Sequence, residues 1–432
     1  MSKQKNPWKK ALARIVWLAP TLGVATAAVL LILFSIADPS QGQTISDTQS
    51  DSPRRDGASQ QTVLQTALFA LGEVGLSTLG VSATELLGVG PQLSLQSSGD
   101  DGMLIVDDDG LDCPNFQYMT IQAAVNDAMP GDKIKVCPGT YMEQVTIPAT
   151  GKDGLTLFAE AAFQAVIKAP IVMSDVKAIV RVNGAQNVTI RHFTITGPGV
   201  GGCDSIRYGV RVDNGGSALI TDNHITEIHD TPFSGCQNGH GVNVGRNVDD
   251  TTGTATIVHN LIDKYQKGGV FVDNAGSSAE VAYNEVVGAG PTPIIAQNGI
   301  AVGRGAQGDI HHNKVSQNVY TGGGFVATGI LPFRNPVARV HHNDVFLNDV
   351  GIAPFIVAAG TAEVSYNNSR NNLRDGIHAY FPASGNLIAY NKAFQNGMLD
   401  CVDDNGSGAN NWVKDLGRTE NLPGLCKQAG PQ

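Results

Sequence analysis

Short runs of alternating apolar and polar residues recur along the chain from about residue 186 onward. A typical run is Ala255-Thr-Ile257-Val-His-Asn260-Leu-Ile262, in which apolar side chains alternate with others on both sides of an asparagine. Alternation with a period of two predicts short β-strands with one buried face. The asparagine therefore marks a bend between two strands.

The asparagine-centred unit returns at a regular interval. The asparagines stand at positions 223, 260, 284, 313, 343, 367 and 391, so their spacings are 37, 24, 29, 30, 24 and 24 residues. A fixed minimum with variable additions predicts a solenoid whose coils carry loops. Asparagine tolerates the left-handed backbone region that a sharp bend needs, and stacked amide side chains can hydrogen-bond as a ladder.

A second recurring element reads Gly-apolar-x-apolar and follows the asparagine unit. It occurs at 209–212, 241–244, 269–272, 299–302 and 376–379. If the apolar residues point inward, the x residues form one outward row and the residues two positions later form a second row. The first row is Arg211, Asn243, Phe271, Ala301, Phe325 and His378, and the second is Asp213, Gly245, Asp273, Gly303 and Tyr380.

A short helix is predicted ahead of the coils. Thr120 is a suitable N-cap, and Ile121, Ala124 and Val125 form an apolar face that can cover the open strand edge.

The cassette that begins at this helix resembles the start of bacterial pectate-lyase-like parallel β-helix proteins. It runs from Thr120-Ile-Gln-Ala-Ala-Val125 through Pro130-Gly-Asp132 and Val136-Cys-Pro-Gly-Thr-Tyr141 to Val145-Thr-Ile147. The asparagine-centred coils resemble the same superfamily, over about residues 103–426. The resemblance implies an all-β, right-handed parallel β-helix. Because the superfamily includes uronate lyases, polygalacturonases, esterases, epimerases and copper-delivery proteins, it leaves the substrate open.

The first 37 residues predict export. An uncharged run of 23 residues, 15–37, follows Lys9, Lys10 and Arg14 and is long enough to cross a bilayer. It predicts a membrane anchor, with a signal peptide cleaved after Ala37 and a buried helix as alternatives. We divide the chain into this segment, a flexible linker at 38–61, an apolar segment of unassigned role at 62–98, and the β-helix domain at 99–432. The domain is then extracytoplasmic, either membrane-anchored or secreted.

Charge and cysteines agree with that location. The formal net charge is −10, and the five charges before Asp38 are all positive, so the remainder carries −15. An acidic body argues against nucleic acid as a partner. Six cysteines fit an oxidising compartment and allow 15 pairings. Closeness in sequence and the predicted coil register favour Cys113–Cys137, Cys203–Cys236 and Cys401–Cys426.

Polar residues converge on the outward rows. Arg211, Asp213, His240, Asn243 and Asp273 fall within three coils. β-Elimination of a uronate requires a cation that neutralises the sugar carboxylate and a base that removes the neighbouring proton. Of the same cluster, we interpret Arg211, His240 and Asp213 as catalytic and Asn243 as substrate-binding. The alternative is that these are ordinary solvated residues on a β-helix face.

Further residues are assigned to ligands on the same face. Asp213 and Asp273 offer hard oxygen ligands for Ca²⁺. Phe271, Phe325 and Tyr380 offer rings on which sugars can stack. Gly239-His-Gly241 matches one polygalacturonase motif, but the accompanying carboxylate motifs are missing or out of order, so hydrolysis is disfavoured.

Two pairs of histidines precede asparagines in neighbouring coils, at 311–312 and 341–342. They could bind Cu or Zn. Tyrosine fills the equivalent position in other coils, which favours simple aromatic packing instead.

Two functions remain open from the sequence. The first is a polysaccharide-processing protein, acting on an acidic polyuronate by lyase or epimerase chemistry. The second is a non-catalytic glycan-binding or structural surface module. In either case we expect a monomer whose partners are a polysaccharide and, through the N-terminal helix, the membrane.

Overall fold

Three long parallel β-sheets form the walls of a β-helix. The computed structural model describes residues 103–358 and 361–428. The predictions for 1–37, 38–61 and 62–98 therefore lie outside the described residues. Each complete coil contributes one strand to each sheet, and every strand pairs in parallel with the equivalent strands of the neighbouring coils. The predicted all-β solenoid is confirmed.

We name the sheets by their place in the repeat. The Gly-Val sheet contains Val145–Pro148, Ala178–Asn183, Tyr208–Asp213, His240–Val244, Gly268–Asp273, Asn298–Gly303, Thr328–Phe333, Val350–Ile352, Ile377–Ala379 and Cys401–Asp403. The pre-Asn sheet contains Met103–Val106, Lys133–Val136, Thr156–Ala159, Val188–Arg191, Gly216–Thr221, Gly253–Val258, Ser278–Ala282, Gln307–His311, Val337–His341, Ala362–Ser365, Leu387–Ala389 and Asn411–Val413. The post-Asn sheet contains Gly139–Met142, Ala165–Lys168, Thr194–Thr196, His224–Thr226, Leu261–Asp263, Glu285–Val287, Lys314–Ser316, Asp344–Phe346, Asn368–Arg370, Lys392–Phe394, Asp415–Gly417 and Cys426–Gln428.

Three smaller elements lie outside these sheets. Gly199–Val200 pairs with Asp230–Thr231 as a two-stranded sheet, so the loops of two successive coils also stack on each other. Asn247–Asp249 forms a 3₁₀ turn. The described residues contain no helix long and apolar enough to cross a membrane.

The predicted short helix is present at Ile121–Asp127. The Thr120 hydroxyl accepts a hydrogen bond from the backbone N–H of Ala123 at 3.3 Å, which satisfies one free amide of the first turn. Ile121, Ala124 and Val125 are fully buried among the first residues of the core.

The core is a set of stacked files of aliphatic side chains. In the Gly-Val sheet, one file is Val210, Val242, Val270, Ile300, Ile330, Ile352 and Ile377, all completely buried. Full burial of each such side chain contributes about 1.5–3 kcal/mol. Inward alternation of apolar residues thus fixes the register, as the sequence predicts.

The asparagine ladder is confirmed, but its backbone explanation was wrong. The side chain of Asn260 donates to Oδ1 of Asn284 at 3.0 Å, and the bond repeats from Asn223 to Asn391. The left-handed residue is the one before each ladder asparagine, for example His259 with φ 58° and Tyr283 with φ 57°. The asparagine's role is therefore to bond both neighbouring coils rather than to supply the turn conformation.

A second asparagine ladder stands at the next corner, between the post-Asn and Gly-Val sheets. Asn318 donates to Asn348 at 2.9 Å, Asn348 to Asn372 at 3.2 Å, and Asn372 to Asn396 at 3.0 Å. The Tyr265 hydroxyl begins this ladder by donating to Oδ1 of Asn318 at 2.6 Å. From Asn318 onward, each coil is therefore held at two corners.

The glycine that opens each Gly-Val strand is required by the closeness of successive coils. A β-carbon on Gly241 would lie 2.7 Å from the carbonyl oxygen of Gly269 and 2.5 Å from a methyl group of Ile262. Any side chain there would push the coils apart, which is why the Gly-Val pattern recurs.

All three predicted disulfides are present. Cys113–Cys137, Cys203–Cys236 and Cys401–Cys426 have Cα–Cα distances of 6.3, 5.6 and 6.2 Å, respectively. The Cys203–Cys236 bridge joins the two stacked loops that contain Gly199–Val200 and Asp230–Thr231, which confirms the predicted register of those coils.

Candidate functional site

The two outward rows of the Gly-Val sheet lie in the predicted register, with one exception. Arg211 pairs with Asn243, Asn243 with Phe271, and Phe271 with Ala301. The next position is Leu331, because Gly329 is the stacked glycine of that coil. The placement of Phe325 in this row was wrong.

Phe325 lies in the loop before the strand Thr328–Phe333 and is 77% exposed. Gly323 and Gly324 precede it, but they belong to a loop insertion and not to the Gly-apolar-x-apolar element. The glycine pair in this insertion resembles the start of a Gly-Val strand, and this similarity led to the wrong placement of Phe325.

Arg211 is held in a buried ion-pair network. Its Nε donates to Asp213 at 2.7 Å, and one terminal nitrogen donates to Asp249 at 3.1 Å and to the Thr251 hydroxyl at 3.2 Å. The side chain is 1% exposed, and its other terminal nitrogen is buried without a partner. Arg211 therefore lies beneath the surface that a polysaccharide could reach, and its observed contacts stabilise the loop at 245–252.

Asp213 and Asp273 do not form one metal site. Asp213 accepts from both Arg181 and Arg211, and Asp273 accepts from Arg304 at 2.7 Å and 3.1 Å. They lie two strands apart in the same row, which corresponds to about 10 Å at the usual strand spacing. Because guanidinium groups already occupy both fully buried carboxylates, these residues do not fit a Ca²⁺ site.

His240 lies between two aromatic rings. Its ring centroid is 6.1 Å from that of Tyr208 and 5.2 Å from that of Phe271, both in stacked geometry. Burial lowers the pKa of His240 to about 3, with further lowering by the positive charges of Lys267, Arg246 and Arg304. The imidazole is therefore neutral at neutral pH, and its buried Nδ1 has no hydrogen-bond partner.

Among the described residues, Lys267 is the one lysine whose charge lowers the pKa of His240. Its Nζ donates to the backbone carbonyl of Ala296 at 2.7 Å. Burial lowers the pKa of Lys267 to about 8, so about a tenth of the amine is unprotonated at pH 7. This group has the pKa of a general base.

Basic side chains exceed carboxylates around His240 and Arg211. Arg246 pairs with Asp249 at 2.6 Å, and the other contacts are those given above. The cluster comprises five cations (Arg181, Arg211, Arg246, Lys267 and Arg304) and three carboxylates (Asp213, Asp249 and Asp273). Two positive charges are left over when Lys267 is protonated, and one when it is not, in a chain whose net charge is −10. An anionic ligand is therefore favoured at this cluster.

Aromatic side chains continue along the same face. Phe271 stacks with Phe333 at 5.8 Å, and the guanidinium carbon of Arg304 lies 5.4 Å and 5.5 Å from the two ring centroids. The backbone of Phe333 forms an isolated parallel β-bridge with that of Phe355, and Phe355 forms another with Tyr380. We call His240, Phe271, Phe333, Phe355 and Tyr380 the aromatic file.

The far end of the file contains a second polar group. Tyr380 stacks on His378 with ring centroids 3.6 Å apart, and His378 contacts Asp375 at 3.0 Å and Asp404 at 2.9 Å. Burial, followed by the negative charge of Asp375, raises the pKa of Tyr380 to about 12. The Tyr380 hydroxyl is buried without a hydrogen-bond partner.

The sequence reasoning placed Asn243 correctly in the row but missed the basic side chains. Asn243 is 1% exposed and lies between Arg211 and Phe271. The missed residues are Arg181, Arg246, Asp249, Lys267, Arg304, Phe333 and Phe355. A usable signal was present, since Val-Gly-Arg ends the strands at 244–246 and again at 302–304.

Comparison with known proteins identifies the fold. A family model described as the right handed beta helix region matches residues 177–354 and again 247–415, together more than half of the chain. No curated protein sequence matches the chain.

One solved structure supports the same fold, and a second is similar at a lower score. The complex of XylC with xylose is 13% identical, with a TM-score of 0.50 over 74% of this chain and 72% of that one. An alginate lyase from Paenibacillus sp. str. FPU-7 is 13% identical, with a TM-score of 0.42 over 72% of this chain and 95% of that one.

Proposed function

The chain belongs to the right-handed parallel β-helix family, and from that premise we propose that it binds an acidic polysaccharide along the Gly-Val face and processes it by removing a proton next to the sugar carboxylate. The observation that carries this proposal is the surplus of positive charge around His240, at one end of the aromatic file. Aromatic rings can contact the sugar faces, while the basic side chains attract the carboxylates.

The chemistry requires a neutralised carboxylate and a base. Arg246 and Arg304 are the cations best placed to pair with the carboxylate, because they surround His240 and keep 22% and 26% of their side chains exposed. Lys267 is the base, since its pKa of about 8 is far closer to neutrality than that of His240. Neutral His240 lies between the rings of Tyr208 and Phe271 and adds no charge to the site.

Lys267 alone can both remove and return the proton in the proposed elimination. Unprotonated Lys267 removes the proton from C5, the electron pair forms the C4–C5 double bond, and the C4–O bond breaks. The protonated amine then returns the proton to the departing oxygen. An epimerase would instead return a proton to C5 on the opposite face of the sugar, with no bond cleavage.

The disulfides bear on where the protein acts. Three disulfides favour an oxidising, extracytoplasmic environment, where a polysaccharide substrate is available. We propose that residues 1–37 deliver the domain there as an anchor or signal, and that the helix Ile121–Asp127 covers the first strand edge.

A second candidate function is glycan binding without turnover. It is favoured by the burial of Arg211 and by the extent of the aromatic file, which continues several coils beyond Lys267. Binding alone would need the rings and the positive surplus but no base.

The experiment separates these functions on one set of substrates. The full chain is incubated with alginate, pectate and other polyuronates, with and without Ca²⁺, and the ultraviolet absorbance of the unsaturated product is followed. In parallel, incorporation of deuterium at C5 is measured by NMR in D₂O. Absorbance reports elimination, and deuterium without absorbance reports epimerisation.

Two variants assign the activity to the site. Lys267→Met should abolish turnover while glycan affinity is largely kept, and Lys314→Met, on the exposed face of the post-Asn sheet, is the matched control. Affinity without either signal would leave glycan binding as the function. Absence of both binding and turnover on every polyuronate would reject the proposal.

A further inference from the structure

Four of the ten histidines meet at one corner of the solenoid, between the pre-Asn and post-Asn sheets. They are His311, His312, His341 and His342, which we call the histidine quartet. The proposed polysaccharide chemistry makes no use of them, because they lie at the bend opposite the Gly-Val strands in the repeat.

The quartet is a two-by-two array. The rings of His311 and His341 stack at 5.0 Å, and those of His312 and His342 stack at 5.1 Å with an interplanar angle of 4°. Within each coil the two rings are perpendicular, at 89° and 86°. This arrangement turns the Nδ1 atom of each histidine toward that of its sequence neighbour.

The Nδ1 atoms approach in pairs. The Nδ1–Nδ1 distance is 2.9 Å in the 311–312 pair and 3.0 Å in the 341–342 pair. Two nitrogens bound at right angles to an ion, each about 2.0–2.1 Å from it, lie about 2.9 Å apart. A tetrahedral ion would need about 3.3–3.4 Å. Each contact is a hydrogen bond in which one of the two Nδ1 atoms carries the proton. Loss of that proton to an incoming ion would leave two nitrogens at the separation of neighbouring ligands in the tetragonal geometry typical of Cu²⁺.

Carboxylates fix the nitrogen that would bind the ion. Nε2 of His341 lies 2.9 Å from Oδ1 of Asp309, and Nε2 of His311 lies 3.3 Å from Oε1 of Glu280. A histidine that donates its Nε2–H to a carboxylate presents a lone pair at Nδ1, and such carboxylate–histidine contacts are the usual support of metal ligands.

His312 and His342 are exposed, so an ion can reach the site from solvent.

We propose that the histidine quartet binds one Cu²⁺ ion. The 341–342 pair, in which His341 contacts Asp309, supplies two Nδ1 ligands in their present positions. The stacked 311–312 pair supplies a third and fourth ligand by side-chain rotation. That rotation is required, since no three donor atoms of the quartet lie within 4.8 Å of one another in the described structure.

The neighbouring coils supply matched substitutions. Tyr283 and Tyr366 occupy the position of His312 and His342 and stack on them at 4.9 Å and 5.2 Å. His312→Tyr/His342→Tyr therefore removes two ligands and preserves the aromatic stack. His259→Tyr is the control, because His259 occupies the same position in another coil but follows Val258 rather than a histidine.

The test is a titration of the metal-free full chain with Cu²⁺ alone, followed by calorimetry and by electron paramagnetic resonance. The wild type should bind one equivalent and show nitrogen hyperfine splitting from at least two imidazoles. His312→Tyr/His342→Tyr should weaken binding at least a hundredfold, and Asp309→Asn should weaken it about 10- to 100-fold.

The His259→Tyr control should leave both the affinity and the spectrum unchanged. The double variant should melt within a few degrees of the wild type, which separates ligand loss from unfolding. Wild-type affinity in the double variant, or a wild-type spectrum without nitrogen splitting, would overturn the proposal. Because the readout is metal affinity, the result is independent of any activity on polysaccharides.

Discussion

The side chain of Asn313 donates a hydrogen bond to Oδ1 of Asn343 at 3.0 Å, and that same oxygen also accepts the backbone N–H of Asn313 at 3.0 Å. Asn313 in turn accepts the backbone and side-chain N–H groups of Asn284, each at 3.0 Å. One buried amide thus satisfies polar groups in three successive coils. Loss of that amide leaves its partners without hydrogen bonds in the interior.

Asn313→Leu should lower the free energy of unfolding by about 1–3 kcal/mol, because buried amide groups of Asn284 and Asn343 lose their partner. Denaturant or thermal unfolding of the full chain measures the change. Asn115→Leu, at an exposed loop position, should have an effect within about 0.5 kcal/mol. Identical unfolding curves for Asn313→Leu and the wild type would contradict the energetic role of the ladder.

Polyuronate turnover should rise with pH and level off above about 8. Lys267 must be unprotonated to remove a proton, and burial lowers the pKa of Lys267 to about 8, so the active form increases through that range. Lys267→Arg keeps the charge but stays protonated, and should lower the rate by about 10²- to 10⁴-fold. A rate that falls between pH 7 and 8 would exclude Lys267 as the base.

Phe333→Ala should weaken polyuronate binding about fivefold, equivalent to about 1 kcal/mol, through loss of apolar contact area in the aromatic file. Affinity is measured by calorimetry or by retardation in gels that contain the glycan. Phe158→Ala is the control, because Phe158 is also half-buried with Arg191 over its ring at 5.3 Å, but lies on the pre-Asn sheet. Equal losses in both variants would place the glycan elsewhere.

Stability should fall as pH rises from about 4 to 6 because of Asp415. Burial raises the pKa of Asp415 from 3.8 to about 6 in the fold, where its Oδ1 accepts from the Asn391 side chain at 2.8 Å. The folded state therefore binds the proton more tightly than the unfolded state, and stabilisation by that proton is present at low pH and lost by pH 6. The loss is on the order of 2–3 kcal/mol.

The Asp415 contribution is isolated by a difference measurement. Other carboxyls titrate in the same range, so the wild type is compared with Asp415→Asn at each pH. The difference in the free energy of unfolding between the two proteins should change with pH across the window of 4 to 6. A constant difference would show that the pKa of Asp415 is not raised.

The sequence predicted the parts of this molecule that depend on repetition. Ile257, Ile262 and Asn260 could be assigned to core and ladder because each position recurs in other coils under the same physical constraint. The Cys203–Cys236 bridge followed from the same register. Repetition turns a three-dimensional problem into an alignment of the chain with itself.

The site was harder to predict because its decisive properties are not periodic. Arg211 lies in the predicted outward row, yet the loop residues Asp249 and Thr251 close over it, and no strand pattern reports where a loop folds back. Lys267 was missed because it stands just before the strand Gly268–Asp273. Phe325 was misplaced because an insertion of variable length breaks the count.

The second ladder shows both the reach and the limit of pattern reading. Asn318, Asn348, Asn372 and Asn396 each follow a ladder asparagine by five residues, a spacing visible in the sequence. The second ladder was not predicted, because only the asparagines inside the alternating runs were aligned. In this fold, recurrent polar residues were as informative as recurrent apolar ones.

The doubly held corners also determine how the protein can change in length. Between Asn343 and Asn367 the chain completes one coil in 24 residues and returns to the same two corner bonds. Duplication of such a segment adds one more rung of about 4.8 Å and leaves every neighbouring contact with an identical partner. A deletion of another size within the strands and corners would set the two corners out of phase, whereas the loops already differ in length from coil to coil. The solenoid can therefore gain or lose length in steps of one whole coil.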